Sequence, residues 1–286
     1  MYDLNNITFL TFVRLDNDER VANLKAMYNF YKKTCINYVH IIIEDDVESK
    51  VPSMLNLSED DVYVYMKTHM EWRKCEGFNK GIKLAKTNVL NFIDTDVIIH
   101  PRQLLEGAKA LTRDPNAALI YPYNGLFLGA EKEVKDEFCT SLDYDTLLSK
   151  YPSQFNDYTC SRNHDINTLR QYINKSSNGI LIHHIDSKGG CVMGRRDSLI
   201  KCNGYNPNFV GWGYEDDEIP VRISKLGFGV GRLEGKKKVC WHLHHNDGKG
   251  SKRDDQPNYE HNKETLHEVC QGDLASMQKY ITKWRL

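Results

Sequence analysis

The sequence predicts an α/β fold built on a mostly parallel central sheet flanked by helices, and three observations carry that expectation. Short apolar runs alternate with segments of helical periodicity through the first 122 residues, the pattern of strands joined by crossover helices. Those runs empty into polar clusters, where open α/β sheets bind ligands. After a long aperiodic interval, an apolar run entered through two glycines, Gly189-Gly190-Cys191-Val192-Met193, restores the pattern.

Taken in order, Ile7 to Val13 reads as the first strand, and Val21, Leu24, Tyr28 and Tyr31 then recur at helical spacing behind the capping candidates Asp16 and Asp18. The run from Tyr38 to Ile43 reads as a second strand leading into Glu44-Asp45-Asp46. Val62 to Met66 is expected as a third strand, Arg73 to Ala85 as a helix, and Val89 to Ile93 as a fourth strand ending in Asp94-Thr95-Asp96. Pro101 opens another helix through Leu104, Leu105, Ala108 and Leu111. From Tyr123 to about Asp186 the periodicity fades. Asn203-Gly204-Tyr205 then leads to an acidic segment, Gly211-Trp212-Gly213-Tyr214-Glu215-Asp216-Asp217-Glu218, whose following Pro220, Ile219, Ile223 and Leu226 predict a helix with the acids in its first turn. Lys238 to Trp241 reads as a strand delivering His242-Leu243-His244-His245. A glycine- and charge-rich loop follows from Asn246 to about Asn258, and Leu266, Val269, Met277 and Ile281 suggest a helical tail.

Composition excludes several classes. With 38 basic and 39 acidic side chains the net charge is -1, which offers no electrostatic basis for binding nucleic acid. No apolar window is long enough to span a bilayer, and the amino terminus lacks a basic stretch followed by an apolar run, so the expected compartment is the cytosol. The eight scattered cysteines contain no Cys-x-x-Cys pair and read as small core residues. Neither a Gly-x-Gly-x-x-Gly after the first strand nor a P-loop is present, against a dinucleotide dehydrogenase or an ATPase.

The acidic segment has more carboxylates than a helix start needs, and they stand beside Trp212 on glycine-flanked backbone. Acceptor oxygens beside a flat apolar face suit sugar hydroxyls, with a general base among the acids. Asp94 and Asp96 project to one side of a strand end, where hard carboxylate oxygens suit Mg²⁺ or Mn²⁺. In an extended segment His242 and His244 share a face, and imidazoles beside a carboxylate favour Mn²⁺ or a later metal; a zinc hydrolase would use similar ligands. Arg14, Asp16, Asp45, Asp46, Arg73, Lys74 and Asn79 each read singly as surface charges or caps, but together they line the crevice where a nucleotide would lie.

These motifs resemble, in family order, the metal-dependent GT-A glycosyltransferases, in particular the β-1,4-galactosyltransferases and related bacterial family 2 enzymes. The matching pieces are Val13-Arg14-Leu15-Asp16, Ile93-Asp94-Thr95-Asp96, Gly189-Gly190-Cys191, Asn203-Gly204-Tyr205, the Gly211–Glu218 segment and His242-Leu243-His244, with Lys252-Arg253-Asp254 beyond. The resemblance covers residues 1 to about 122 loosely and about 186 to 265 closely. It implies a Rossmann-like GT-A fold, in one domain over residues 1–286: a nucleotide-binding half (1–122), a variable acceptor-side segment (123–185), and an acceptor and catalytic half (186–286) with a lid loop and a C-terminal helix. It further implies inverting transfer from a UDP-sugar, galactose or N-acetylgalactosamine above all, to an oligosaccharide or lipid-linked glycan, with peripheral membrane contact left open. The implied roles are Asp96, His242 and His244 on Mn²⁺, with Mg²⁺ as the alternative and His245 left open as replacing or joining His244, and Asp216 as base. Arg14, Asp16, Asp45, Arg73, Asp94, Gly190, Trp212 and Glu215 would meet the donor, and Tyr214, Asp217 and Trp212 the acceptor. Tyr214 stands where the family usually has a small residue. The alternatives are a metal-dependent nucleotidyltransferase or hydrolase, and a catalytically silent sugar-binding module.

Overall fold

The computed structural model describes residues 1–67, 71–156, 158, 170–246 and 257–286. Among them a seven-stranded sheet runs in the order Gly229–Arg232, Ala117–Tyr121, Cys191–Arg195, Val89–Ile93, Ile7–Val13, Val39–Asp46 and Val62–Lys67. Every residue of Ile7–Val13 is buried, as a continuous apolar run requires of a parallel strand covered on both faces. It lies parallel to Val89–Ile93 and Val39–Asp46, and the latter lies parallel to Val62–Lys67. Cys191–Arg195 is antiparallel to both neighbours, so the mostly parallel sheet contains one reversed strand.

A second, five-stranded sheet orders Ser176–Ser177, Ile180–His184, Phe127–Ala130, Cys240–Leu243 and Val97–Ile98. Part of the aperiodic stretch therefore forms strands, too short to show a period. Because Val89–Ile93 belongs to the first sheet and Val97–Ile98 to the second, Asp94-Thr95-Asp96 is the turn joining them.

Helix Asp18–Thr34 is capped by Asn17, whose extended backbone lets its side chain accept from the Arg20 amide at 2.9 Å. The expected cap Asp16 instead pairs with Arg20 at 3.3 Å, and Asp18 falls inside the first turn. Helix Lys74–Leu84 lies close on the sheet through glycines: a Cβ on Gly77 would overlap the Phe12 ring, and one on Gly81 would meet Leu10 at 2.8 Å. That close approach fixes where its first residue, Lys74, sits. The tail is two helices, Tyr259–Gln271 and Leu274–Tyr280, separated at Gly272 and restarted by Asp273 capping the Ser276 amide. No described helix is long and apolar enough to cross a membrane.

Candidate active site

The turn between the sheets carries one half of the site. The Asp94 amide donates to the Gly190 carbonyl at 3.0 Å, and Gly190 adopts φ +82 with its hydrogen facing Phe127, Val97 and Cys240, so a side chain would strain this junction. Antiparallel pairing of Cys240–Leu243 with Val97–Ile98 sets His242 opposite Val97, and the Leu243 amide donates to the Asp96 carbonyl at 2.7 Å. His242 Nε2 thereby lies 3.6 Å from Asp96 Oδ2, and His245 Nε2 lies 3.0 Å from the same oxygen.

Here the structure departs from the sequence expectation. The strand ends at Leu243, so the alternation that would align His244 with His242 stops; the His244 amide turns to the Ala130 carbonyl, and His245 is the imidazole facing Asp96. Asn23, fully buried, secures this turn by donating its Nδ2 to the carbonyls of Leu243 at 3.1 Å and His244 at 3.2 Å. The Nδ1 of His245 donates to the Asn246 carbonyl at 3.1 Å. Asp96, His242 and His245 offer ligand atoms all within 4.8 Å of one another, and a carboxylate with two imidazoles fits Mn²⁺ or a later metal. Burial opposes the Asp96 charge, but the neighbouring imidazoles outweigh it and hold this carboxyl well below its ordinary range.

The other half gathers around Lys74. This nearly buried ammonium lies 3.2 Å from Asp94, 3.5 Å from Glu215 and 3.7 Å from Asp216. Burial disfavours its charge, yet the three carboxylates dominate and raise its pKa well above the ordinary lysine value. One ammonium cannot offset three carboxylates. Desolvation, reinforced by Glu215, Asp94 and Asp217, pushes Asp216 up to about 7 despite Lys74. Asp94 is also raised, by burial first. Beside them, Lys74, Phe78, Phe92, Asp94, Gly190 and Asp216 help to line a cavity of ≈ 10 Å³, space for about one water.

Helix Glu215–Lys225 starts from left-handed backbone at Gly211, Gly213 and Tyr214, the last at φ +70. Glu215 accepts from the Gly213 amide, and Asp217 accepts from Lys188 at 3.0 Å. Glu218 is committed to structure: it pairs with Arg222 at 2.6 Å, both side chains are buried, and Arg222 also bonds the carbonyls of Cys202 and Gly204. Trp212, half exposed, stacks on Tyr259 at 6.2 Å and 15°, and the Tyr214 and Tyr259 hydroxyls are 2.7 Å apart.

Arg14, Asp45 and Arg73 form a third group at the strand ends. Arg14 bonds the Asp45 carboxylate at 2.6 Å and lies over Trp72, while the Arg73 amide donates to Asp45 at 3.4 Å. Asp16 stands apart from them, paired with Arg20. The loop expected as a lid, with Lys252, Arg253 and Asp254, lies outside the described residues over 247–256. The sequence alone assigns no role to Lys188, Tyr259 or Asn23 and gives Lys74 only a shared place in the nucleotide crevice. For Lys74 a signal exists: Lys74, Phe78 and Ile82 fall at four-residue spacing, which puts a cation on the apolar stripe of its helix.

Residues 174–246 match a family model described as the N-terminal domain of galactosyltransferase. The chain is 23% identical over 217 residues to chondroitin synthase of Escherichia coli, covering 71% of this chain and 30% of that protein. It is 27% identical over 93 residues to β-1,4-galactosyltransferase 4 of Mus musculus, covering 32% of this chain and 26% of that protein. The chain thus spans under a third of the length of these curated relatives. Among solved structures, a mannosyltransferase from Pyrobaculum calidifontis in complex with GDP-Man and Mn²⁺ aligns at TM-score 0.51 and 12% identity, over 96% of this chain and 69% of that one. The catalytic domain of Drosophila β-1,4-galactosyltransferase 7 with xylobiose aligns at TM-score 0.48 and 15% identity, over 96% and 84%. The fold is GT-A, and the resemblance to glycosyltransferases of the β-1,4-galactosyltransferase type is borne out.

Proposed function

We propose that this chain is a single GT-A domain that moves a hexose from a UDP-sugar, galactose or N-acetylgalactosamine first among them, to a hydroxyl of a glycan with inversion. The observation that supports this best is the meeting, at one turn between two sheets, of a carboxylate–imidazole cluster with a separate carboxyl held near neutrality. Mn²⁺ on Asp96, His242 and His245, with Mg²⁺ the weaker fit, would supply positive charge against a departing diphosphate. Asp216, balanced at about 7, takes the proton of an acceptor hydroxyl and so raises its nucleophilicity toward the anomeric carbon. Lys74 keeps Asp94, Glu215 and Asp216 together despite their mutual repulsion. Trp212 and Tyr259 offer a flat apolar face to a sugar ring, and Asp217 with Lys188 offers polar contacts beside it. Arg14, Asp45 and Arg73 form the nucleotide side. A cytosolic setting fits the described cysteines, all of them unpaired.

The test is UDP release from UDP-hexoses with Mn²⁺ across a panel of oligosaccharide and lipid-linked acceptors, with the product's anomeric configuration read by NMR. The proposal expects release that depends on acceptor, an inverted linkage, and loss of turnover in Asp216→Asn. Acceptor-independent release, or full turnover by Asp216→Asn, would refute it.

A further inference from the structure

The two imidazoles that face Asp96 differ in their outer contacts. A metal-ligating histidine almost always donates its second ring nitrogen to an outer partner, which fixes the ring and strengthens the ligand. His245 has such a partner in the Asn246 carbonyl. The Nδ1 of His242 is buried and has no hydrogen-bond partner among the described residues. Beside Phe127 and His245, another histidine from a different strand packs against the His242 ring. His183, from Ile180–His184, lies 5.2 Å from it at 87°, edge to face.

The sheet is built to allow that contact. Phe127–Ala130 runs between the two histidine strands, and His242 pairs with Gly129 across one ladder. A Cβ on Gly129 would overlap Nε2 of His183. The missing side chain opens a gap in the middle strand, and the His183 ring crosses it to reach His242. Gly129 does not have a left-handed φ, so its backbone does not require glycine; the ring above it does.

The geometry points to His183 as a positioning residue of the metal cluster, its ring packed edge to face on His242 and holding that ring with Nε2 toward Asp96. Gly129 is the second element of this device. The inference rests on the proposed metal reading, and it concerns affinity rather than the identity of the cation.

The experiment is Mn²⁺ titration of the purified protein, without nucleotide or acceptor, followed by electron paramagnetic resonance. His183→Ala and Gly129→Ala are compared with wild type, and each variant is checked for an unchanged melting transition. Both variants are expected to bind Mn²⁺ about 10- to 100-fold more weakly. His183→Phe, which keeps a flat ring in the gap, is expected to recover part of the loss, and His184→Ala to bind as wild type does. Wild-type binding with both His183→Ala and Gly129→Ala within twofold overturns the positioning role while leaving the metal site standing. No binding by the wild type overturns the metal reading and this inference with it. Gly129→Ala keeps the histidine and moves only its ring, so an equal loss in both variants cannot be ascribed to deleting an imidazole from the fold.

Discussion

Replacing Asp216 by Asn should abolish turnover and at the same time stabilise the protein above neutral pH. Its carboxyl moves from an ordinary 3.8 to about 7 on folding, chiefly through desolvation. A group raised in this way opposes folding only once ionised: the penalty is absent below about pH 4, grows through pH 7 and is complete above it. About three pH units at about 1.4 kcal/mol each give about 4 kcal/mol for a dry site. The side chain is 33% exposed, so solvent screening reduces this to about 1–2 kcal/mol. Asn keeps the shape without the charge, and Lys74 retains Asp94 and Glu215 as partners. In a chain of this size the gain is a rise in Tm of about 2–6 °C at pH 8, shrinking to a small fraction of that near pH 4.5. Thermal melts of both proteins across pH 4.5–8.5 measure it. A wild type that is the more stable at pH 8, or a difference that ignores pH, would refute the reasoning.

Lys74→Met should lower kcat/KM by about 100-fold or more and move the rising limb of its pH profile upward, because the cation that favours ionised Asp216 is gone; an unchanged limb counts against it. Glu218→Gln should destabilise by about 3–5 kcal/mol in denaturant melts by leaving Arg222 buried and unpaired, and a loss under 1 kcal/mol would contradict the described pairing. Tyr214→Gly should relieve about 1–2 kcal/mol of left-handed strain while losing the bond to Tyr259, leaving stability nearly level but changing the ranking of UDP-hexoses by kcat/KM; the same ranking would remove Tyr214 from specificity. Asn23→Ala should raise the Mn²⁺ needed for half-maximal signal about tenfold, since the turn presenting His245 loses both side-chain bonds.

The parts of the fold legible in the sequence were those whose signal is local. Ile7–Val13 and Val89–Ile93 have the boundaries their apolar runs predict, since each is buried along its whole length. The reversed direction of Cys191–Arg195 had no local signature, because a strand's partners are fixed by contacts about a hundred residues away. Phe127–Ala130 was hidden by its brevity and by Gly129, which normally argues against a strand and here serves a ring lying over it. In the site, carboxylates massed at Glu215–Glu218 were conspicuous, but only packing shows that Glu218 serves Arg222 while Asp216 faces the cleft. That His245 rather than His244 faces Asp96 has a related reason: alternation is a property of strands, and this strand stops at Leu243.

The central claim is that one turn between two sheets joins a metal-held donor to a base, and binding of UDP with and without Mn²⁺ to wild type and Asp96→Ala tests it most directly. Calorimetry should show UDP binding to the wild type that tightens at least tenfold with Mn²⁺, and no metal effect in Asp96→Ala. Equal affinity with and without metal in the wild type, or an undiminished metal effect in Asp96→Ala, would contradict the account.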